Sequence, residues 1–365
     1  MWAVYFLLTV LILLGILEML SARNPEGKLF VSMEPEEVLV EQDTPFCLSL
    51  SAANEDKLPF SYVQIRQMIP DFIEAAESAE KSVHVAVSYW DYRVVKDAFM
   101  IAGRRTLTRK YPVIARQRGV WHLENLQLNV GDFLAIRERI LYERHKKEVV
   151  VMPKPLESVD LSKAMGGFLG ELSVRRFLYE DPVLISGFSD YSGREPMKAI
   201  SWKQTARMGR MVVKNQDHTT ETSVKVILDF EGAGEYLELL LSLTRSVCET
   251  LESMRVNWSF ACNGDLNEKA GMRDMIESGS GSGHMMALLE GLGRTKGRIK
   301  MPFSFLIDEL LREKTMTSGY LILRGKRSLS GYDRSLVRLS ELTGCPVNAL
   351  YACDYEIKED SNVQS

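Results

Sequence analysis

Two different hydrophobic periods divide this chain, and no single layer of secondary structure satisfies both. Through residues 29–153 apolar residues alternate with polar ones, as in the run Pro45, Phe46, Cys47, Leu48, Ser49, Leu50, which is the pattern of strands with one buried face. Similar runs cover 29–33, 37–40, 61–65, 82–87 and 106–113; another follows a turn at Gly119, and the last are 126–128 and, past a turn at Gly131 and Asp132, 148–153. This spacing predicts a small antiparallel sandwich. Pro153 and Pro155 then open a linker, and 161–179, interrupted by glycines, reads as irregular with helical pieces. From residue 223 the texture changes. The buried-type strand 223–229 precedes 234–254, where Leu237, Leu240, Leu241, Leu243, Val247 and Leu251 fall at helical spacing. Beyond it 256–261 reads as a strand, 285–292 and 303–312 as helices, 320–323 as a strand, 330–342 as a helix and 347–352 as a last strand. Such alternation predicts an open, mostly parallel α/β sheet, followed by a polar tail at 358–365.

A chain of 365 residues is long enough for two or three such units, and 45% hydrophobic with 26% charged residues describes a globular protein. Its formal net charge of -4, with both signs interspersed, provides no broad field for nucleic acid. The basic run 137–147, with Arg144, His145, Lys146 and Lys147, reads either as a solvated charged loop or as a contact for anionic lipid headgroups. Five widely separated cysteines, Cys47, Cys248, Cys262, Cys345 and Cys353, read as reduced core residues. Neither CxxC nor HxxxH spacing occurs, so no zinc site is expected.

From Trp2 to Leu17 the sequence is apolar apart from Thr9 and Gly15, and beyond Glu18 come Met19 and Leu20. At ~1.5 Å per residue the stretch approaches the thickness of a bilayer core, which predicts a transmembrane helix over residues 2–20. A secretory signal peptide is the alternative. No Lys or Arg precedes the run, however, and Leu20-Ser21-Ala22 is a poor cleavage site. Arg23 and Lys28 follow it, and the positive-inside tendency then places the bulk of the chain in the cytoplasm. Elsewhere, the glycine-rich stretch 279–284 lacks the Gly-Lys-Ser/Thr of a phosphate loop and reads as a flexible lead into a helix. His218 beside Thr219 and Thr220 has no nucleophile placed near it.

Between the two halves, residues 187–207 carry Tyr191, Lys198, Ile200, Trp202, Ala206 and Arg207, and Leu228 and Asp229 close the strand that follows. In identity and spacing these resemble the signature of the domain of unknown function 58 family. The resemblance extends over essentially the whole chain, through Arg118-Gly119, Gly131-Asp132 and the strand 150–153. There are departures: Arg194-Glu195 stands where the family has Gly-Asp, Gly193 lies one place early, and Ser189 stands where an Arg is common. One membrane segment is found where most members have two. The resemblance implies a bacterial membrane protein whose C-terminal half is similar to a von Willebrand factor A domain. It also implies association with MoxR-type AAA ATPases and with transglutaminase-like membrane proteins.

A von Willebrand A domain that grips a divalent metal needs Asp-x-Ser-x-Ser after its first strand, because one carboxylate and two hydroxyls supply hard oxygen ligands from a single loop. Here Asp229, Phe230, Glu231, Gly232 and Ala233 lack both hydroxyls, so no metal or cofactor is expected. Asp229 and Glu231 remain candidates only for weak cation binding, and Asp229 alternatively caps the next helix. The candidate partner-binding residues are Tyr191, Arg194, Lys198, Trp202, Lys203 and Arg207, since Arg and aromatic side chains make good interface anchors. The competing reading packs Tyr191 and Trp202 between the two halves and pairs Arg207 with a buried carboxylate.

The expected architecture is α+β and multidomain. It has a transmembrane anchor at 1–22, a β-rich sandwich-like domain at 29–153, a linker with the signature at 154–222, an α/β von Willebrand factor A-like open sheet at 223–357, and a disordered tail at 358–365. The expected function is that of a non-enzymatic adaptor held in the cell membrane by a single pass, docking a cytoplasmic protein such as a MoxR-type ATPase in envelope assembly or maintenance. The alternatives are a hydrolase using Asp190, Glu195 and Asp229, and a nucleic-acid binder.

Overall fold

The N-terminal apolar run forms a helix, α1 (Trp2–Ser21), but no helix among the described residues is long and apolar enough to cross a membrane. The expected transmembrane helix, and with it the expected fold class, is therefore corrected: the chain is a mixed α/β protein. The physical reason lies in Glu18, which ends the uninterrupted apolar stretch at Leu17. Sixteen residues, 2–17, rise ~24 Å at ~1.5 Å each, short of the ~30 Å hydrocarbon layer.

The computed structural model describes residues 2–21, 25–76, 84–87, 92–132, 137–156, 161–176, 185–193, 195, 197–216, 223–266, 275–312, 317–327 and 330–355. Arg194, His218 and the tail 358–365 lie outside the described residues. The chain divides into two compact units, Met1–Lys154 with Leu292–Arg294, and Pro155–Gly291 with Thr295–Ser365.

The first unit holds β1 (Leu29–Pro35), β2 (Leu39–Glu41), β3 (Pro45–Asn54), β4 (Phe60–Pro70), β5 (Ile73–Ala75), β6 (His84–Val87), β7 (Tyr92–Ile101), β8 (Thr106–Ala115), β9 (Gly119–Gly131) and β10 (Glu138–Met152). They form two sheets, ordered β1-β3-β8-β5 and β2-β10-β9-β4-β7-β6. Pairing is antiparallel except that β2 runs parallel to β10, so the larger sheet is mixed. Alternation in the sequence becomes alternation in burial: Phe46, Leu48, Leu50 and Ala52 of β3 point into the core, where they join Val63, Ile65 and Ile69 of β4 and Leu123, Leu126 and Leu128 of β9. Each such side chain contributes ~1.5–3 kcal/mol when fully buried.

Two strands depart from the sequence expectations. β7 is not marked by clean alternation because Asp97 sits at an inward position, fully satisfied there by Arg109, by the Tyr111 hydroxyl at 2.6 Å and by the Ala98 N–H at 2.7 Å. β10 occupies the basic run expected as a loop. Its charged residues do not oppose a strand, because the ladder with β9 satisfies the backbone and Val149 and Val151 supply the core contact.

The second unit begins with α2 (Leu161–Arg176), which its three glycines do not interrupt; Met165, Phe168 and Leu172 line its buried side. Phe168 and Leu172 pack on the bare backbone of Gly319, where an added Cβ would lie 2.7 Å from Leu172. A hairpin follows, β11 (Ile185–Asp190) and β12 (Val212–Gln216), with α3 (Trp202–Met208) in its connection. Then come β13 (Ser223–Asp229), α4 (Leu237–Ser253), β14 (Asn257–Cys262), β15 (Met275–Gly279), α5 (Ser282–Arg294), α6 (Phe303–Arg312), β16 (Gly319–Arg324), α7 (Ser330–Thr343) and β17 (Val347–Tyr351). The sheet order is β15-β14-β13-β16-β17, parallel apart from β15. α6 and α7 pack on Ile227, Ala261 and Ile322, while α4 buries Leu240, Leu243, Val247 and Leu251 and packs on β14 and β16.

Candidate functional site

The strand order reverses between β13 and β16, and in open α/β sheets ligands ordinarily bind outside the carboxyl ends of the strands at such a point. Here that point is closed by protein. A Cβ on Gly325, just past β16, would lie 2.8 Å from the Cα of Ala233 in the loop after β13. Likewise a Cβ on Gly264, past β14, would lie 2.4 Å from the Phe230 ring.

Asp229 at the end of β13 is fully buried and its oxygens are already engaged. Oδ1 accepts from Asn263 Nδ2 at 2.7 Å and from the Glu231 N–H at 2.9 Å, and Oδ2 accepts from Arg324 Nε at 3.1 Å. Glu231 turns away to accept the Phe303 N–H at 2.7 Å. Burial pushes the Asp229 carboxyl up to about 6, against the opposing pull of the Glu231 N–H, the Arg324 guanidinium and Asn263. The cluster therefore ties the loops after β13, β14 and β16 together. Asp229 makes a turn with Glu231 instead of capping α4, and no group of three metal-ligating side chains occurs among the described residues.

The three carboxylates of the hydrolase alternative stand in different surroundings. Asp190 is exposed and paired with Arg210 at 2.8 Å, and Glu195 accepts the N–H and hydroxyl of Ser192 at 3.0 and 2.7 Å. Neither shares the buried environment of Asp229, so the paired carboxylates of general acid and base work are not assembled. The glycine-rich stretch 279–284 joins β15 directly to α5, and the Gly281 N–H points to the Glu252 carboxylate. A protein carboxylate thus holds the N–H that a phosphate would need.

The signature hairpin is different in kind. Its backbone is rigidly held: Ile200 bridges to Val213, the Ser201 N–H donates to the Val212 carbonyl at 2.9 Å, and the Val212 N–H donates to Thr205 Oγ1 at 3.2 Å. Gly209 ends α3 with φ of 66°, a left-handed conformation suited to glycine, and its N–H donates to the Thr205 carbonyl at 3.0 Å. Among the described residues there, only Ile200, Ser201, Val212 and Val213 are buried. Trp202 is 59% exposed, Tyr191 is half-buried, and Lys198, Lys203 and Arg207 are exposed with no carboxylate within 4 Å among the described residues. Arg207 therefore does not make the expected pair with a buried carboxylate. Sequence reasoning missed Phe188, Met197, Met208 and Met211, which are exposed on the same hairpin. Their signal was present as apolar residues with neither strand nor helix period amid basic ones.

No family model and no curated protein matches this chain. Solved structures with partial likeness include a non-cellulosomal cohesin from Archaeoglobus fulgidus, at 13% identity over 33% of this chain and 90% of that one, with a TM-score of 0.24. Another is the CARDB domain of a Pyrococcus furiosus protein, at 10% identity over 34% and 91%, TM-score 0.21. A third is a chitin-binding domain from Streptomyces coelicolor, at 14% identity over 29% and 93%, TM-score 0.21. Scores this low carry neither fold nor function to this chain.

Proposed function

We propose that this chain is a non-catalytic adaptor, related to the domain of unknown function 58 family, that docks an acidic face of a protein partner through the hairpin of β11, α3 and β12. The observation that carries this reading is the display of exposed Trp202 and Met197 on the same hydrogen-bonded hairpin as Lys198, Lys203 and Arg207, which have no carboxylate within 4 Å among the described residues. An exposed indole on a segment rich in cations gives little stability to the free chain. On a partner it buries a large apolar area while the cations meet carboxylates, the composition of a binding hot spot. A rigid frame lowers the ordering entropy lost on association. The partner class suggested by the signature residues Tyr191, Lys198, Trp202 and Arg207 is a MoxR-type AAA ATPase.

The test is biolayer interferometry between the purified full chain and a purified MoxR-type ATPase from the same genome. Binding is expected, with Trp202→Ala weakening it by about 2 kcal/mol or more and Arg207→Glu weakening it further as salt falls. Absence of binding, or affinity indifferent to both substitutions, overturns the reading.

A further inference from the structure

The six-stranded sheet in the first unit borders two adjoining depressions. One, of about 830 Å³, is lined by Arg66 of β4, Lys96 of β7, Asn125 and Gln127 of β9, and Tyr142 and Arg144 of β10. The other, of about 730 Å³, shares Met68 and Asn125 with it and continues to Tyr92 and Trp121. The backbone builds this relief. Arg66 and Gln127 are the last paired positions of β4 and β9; beyond them Asn125 adopts φ of 53°, and β10 slips its register against β9 between Glu143 and Lys146. Gln67 replaces the lost ladder bond by donating Nε2 to the Glu124 carbonyl at 3.1 Å. Bulged strands bend and re-aim their side chains, which here leaves a recess in the sheet.

The charge in the recess is arranged against stability. Arg66 and Lys96 are directly opposed on neighbouring strands, where like charges repel. Neither they nor Arg144 have a carboxylate within 4 Å among the described residues. Several cations elsewhere on the same unit are paired, Lys28 with Asp56, Lys110 with Glu36, Arg116 with Asp43 and Glu74, and Lys147 with Glu34.

We propose that this groove binds an anionic oligosaccharide, a short carbohydrate chain carrying carboxylate or sulfate groups. Arg66, Lys96 and Arg144 supply the charge complement for the anionic groups. The Asn125 amide both donates and accepts, as hydroxyl-rich rings require, and the Gln127 amide, whose Nε2 donates to Asn129 Oδ1 at 2.9 Å, adds its carbonyl oxygen as an acceptor. Tyr142 and Tyr92, each more than half exposed, offer apolar ring faces with a polar tip, one in each depression. The buried indole N–H of Trp121, in the wall of the second depression, has no hydrogen-bond partner among the described residues. Asp71 and Glu124 also line that second depression.

Calorimetric titration of the full chain tests this with four probes: tetragalacturonate, a chondroitin sulfate tetrasaccharide, neutral cellotetraose, and phosphatidylglycerol vesicles. At least one anionic tetrasaccharide is expected to bind, with affinity falling as salt rises. Lys96→Gln and Arg144→Gln are each expected to weaken it about tenfold or more, while Lys110→Gln on the other sheet and Trp202→Ala leave it unchanged. Because Lys96→Gln relieves the opposition to Arg66, its thermal midpoint is expected at or above that of the parent, which separates lost binding from lost folding. The proposal is overturned if neither anionic tetrasaccharide binds, if cellotetraose binds as tightly, if only the vesicles bind, or if Lys96→Gln binds as the parent does. The Trp202 control makes this outcome independent of the adaptor reading.

Discussion

Asp229 is the residue on which the second unit's loops converge, and its environment sets two expectations. Arg324 lies between this carboxylate and the Phe303 ring, whose centroid is 4.5 Å from the guanidinium carbon. Arg324→Met would leave a buried carboxylate without its cation, a loss of about 3–5 kcal/mol, measurable as a lower urea midpoint. The same carboxyl holds its proton more tightly folded than unfolded, because burial raises it from 3.8 to about 6. Its stabilising contribution is complete below the unfolded value and is lost as pH rises through the folded one. Urea melts across this window are expected to show wild-type stability declining with pH relative to Asp229→Asn, in which that component is absent. Parallel pH profiles would show that Asp229 does not titrate there. In the first unit, Asp97 plays the corresponding part, and Tyr111→Phe removes one of its donors, a loss of about 1–3 kcal/mol in the same assay.

At the scale of elements, close backbone approach decides what several turns tolerate. A Cβ on Gly103, in the turn between β7 and β8, would fall 2.0 Å from the carbonyl oxygen of Lys57 in the turn after β3. Asn54 stitches these same turns by donating Nδ2 to the carbonyls of Leu58 at 2.9 Å and Ala102 at 3.0 Å. Gly103→Ala must therefore separate them, and a destabilisation of about 1–3 kcal/mol is expected from thermal melts. β10 shows why charge density is a poor guide to loops: Tyr142 and Lys147 stand on a strand because β9 holds the backbone, whatever the side chains prefer. Conversely, α2 persists through Gly166, Gly167 and Gly170 because Met165, Phe168 and Leu172 are buried along it.

At the scale of the whole molecule, α1 stands out, for Trp2, Phe6, Leu7, Leu11 and Leu13 are all more than half exposed. Apolar surface of this extent promotes association. Deleting residues 1–24 is expected to turn an associating chain into a monodisperse one in light scattering, with the near-ultraviolet dichroism of Trp121 and Trp258 unchanged. Equal polydispersity in both would show that α1 is not the adhesive surface. Some of this protein was legible in its residues alone. The alternation of Phe46, Leu48 and Leu50, and the helical spacing of Leu240, Val247 and Leu251, determined local structure because burial enforces period on strand and helix alike. The residues of the signature hairpin were likewise singled out by type. Which polar groups face one another was decided by strand register and loop packing across distant segments. Only the tertiary structure sets Lys96 opposite Arg66, locks Asp229 against Arg324, and closes the switch point with Gly325 on Ala233. Such pairings arise from hydrogen-bond ladders and steric fit between residues far apart in the chain, and no local pattern encodes them.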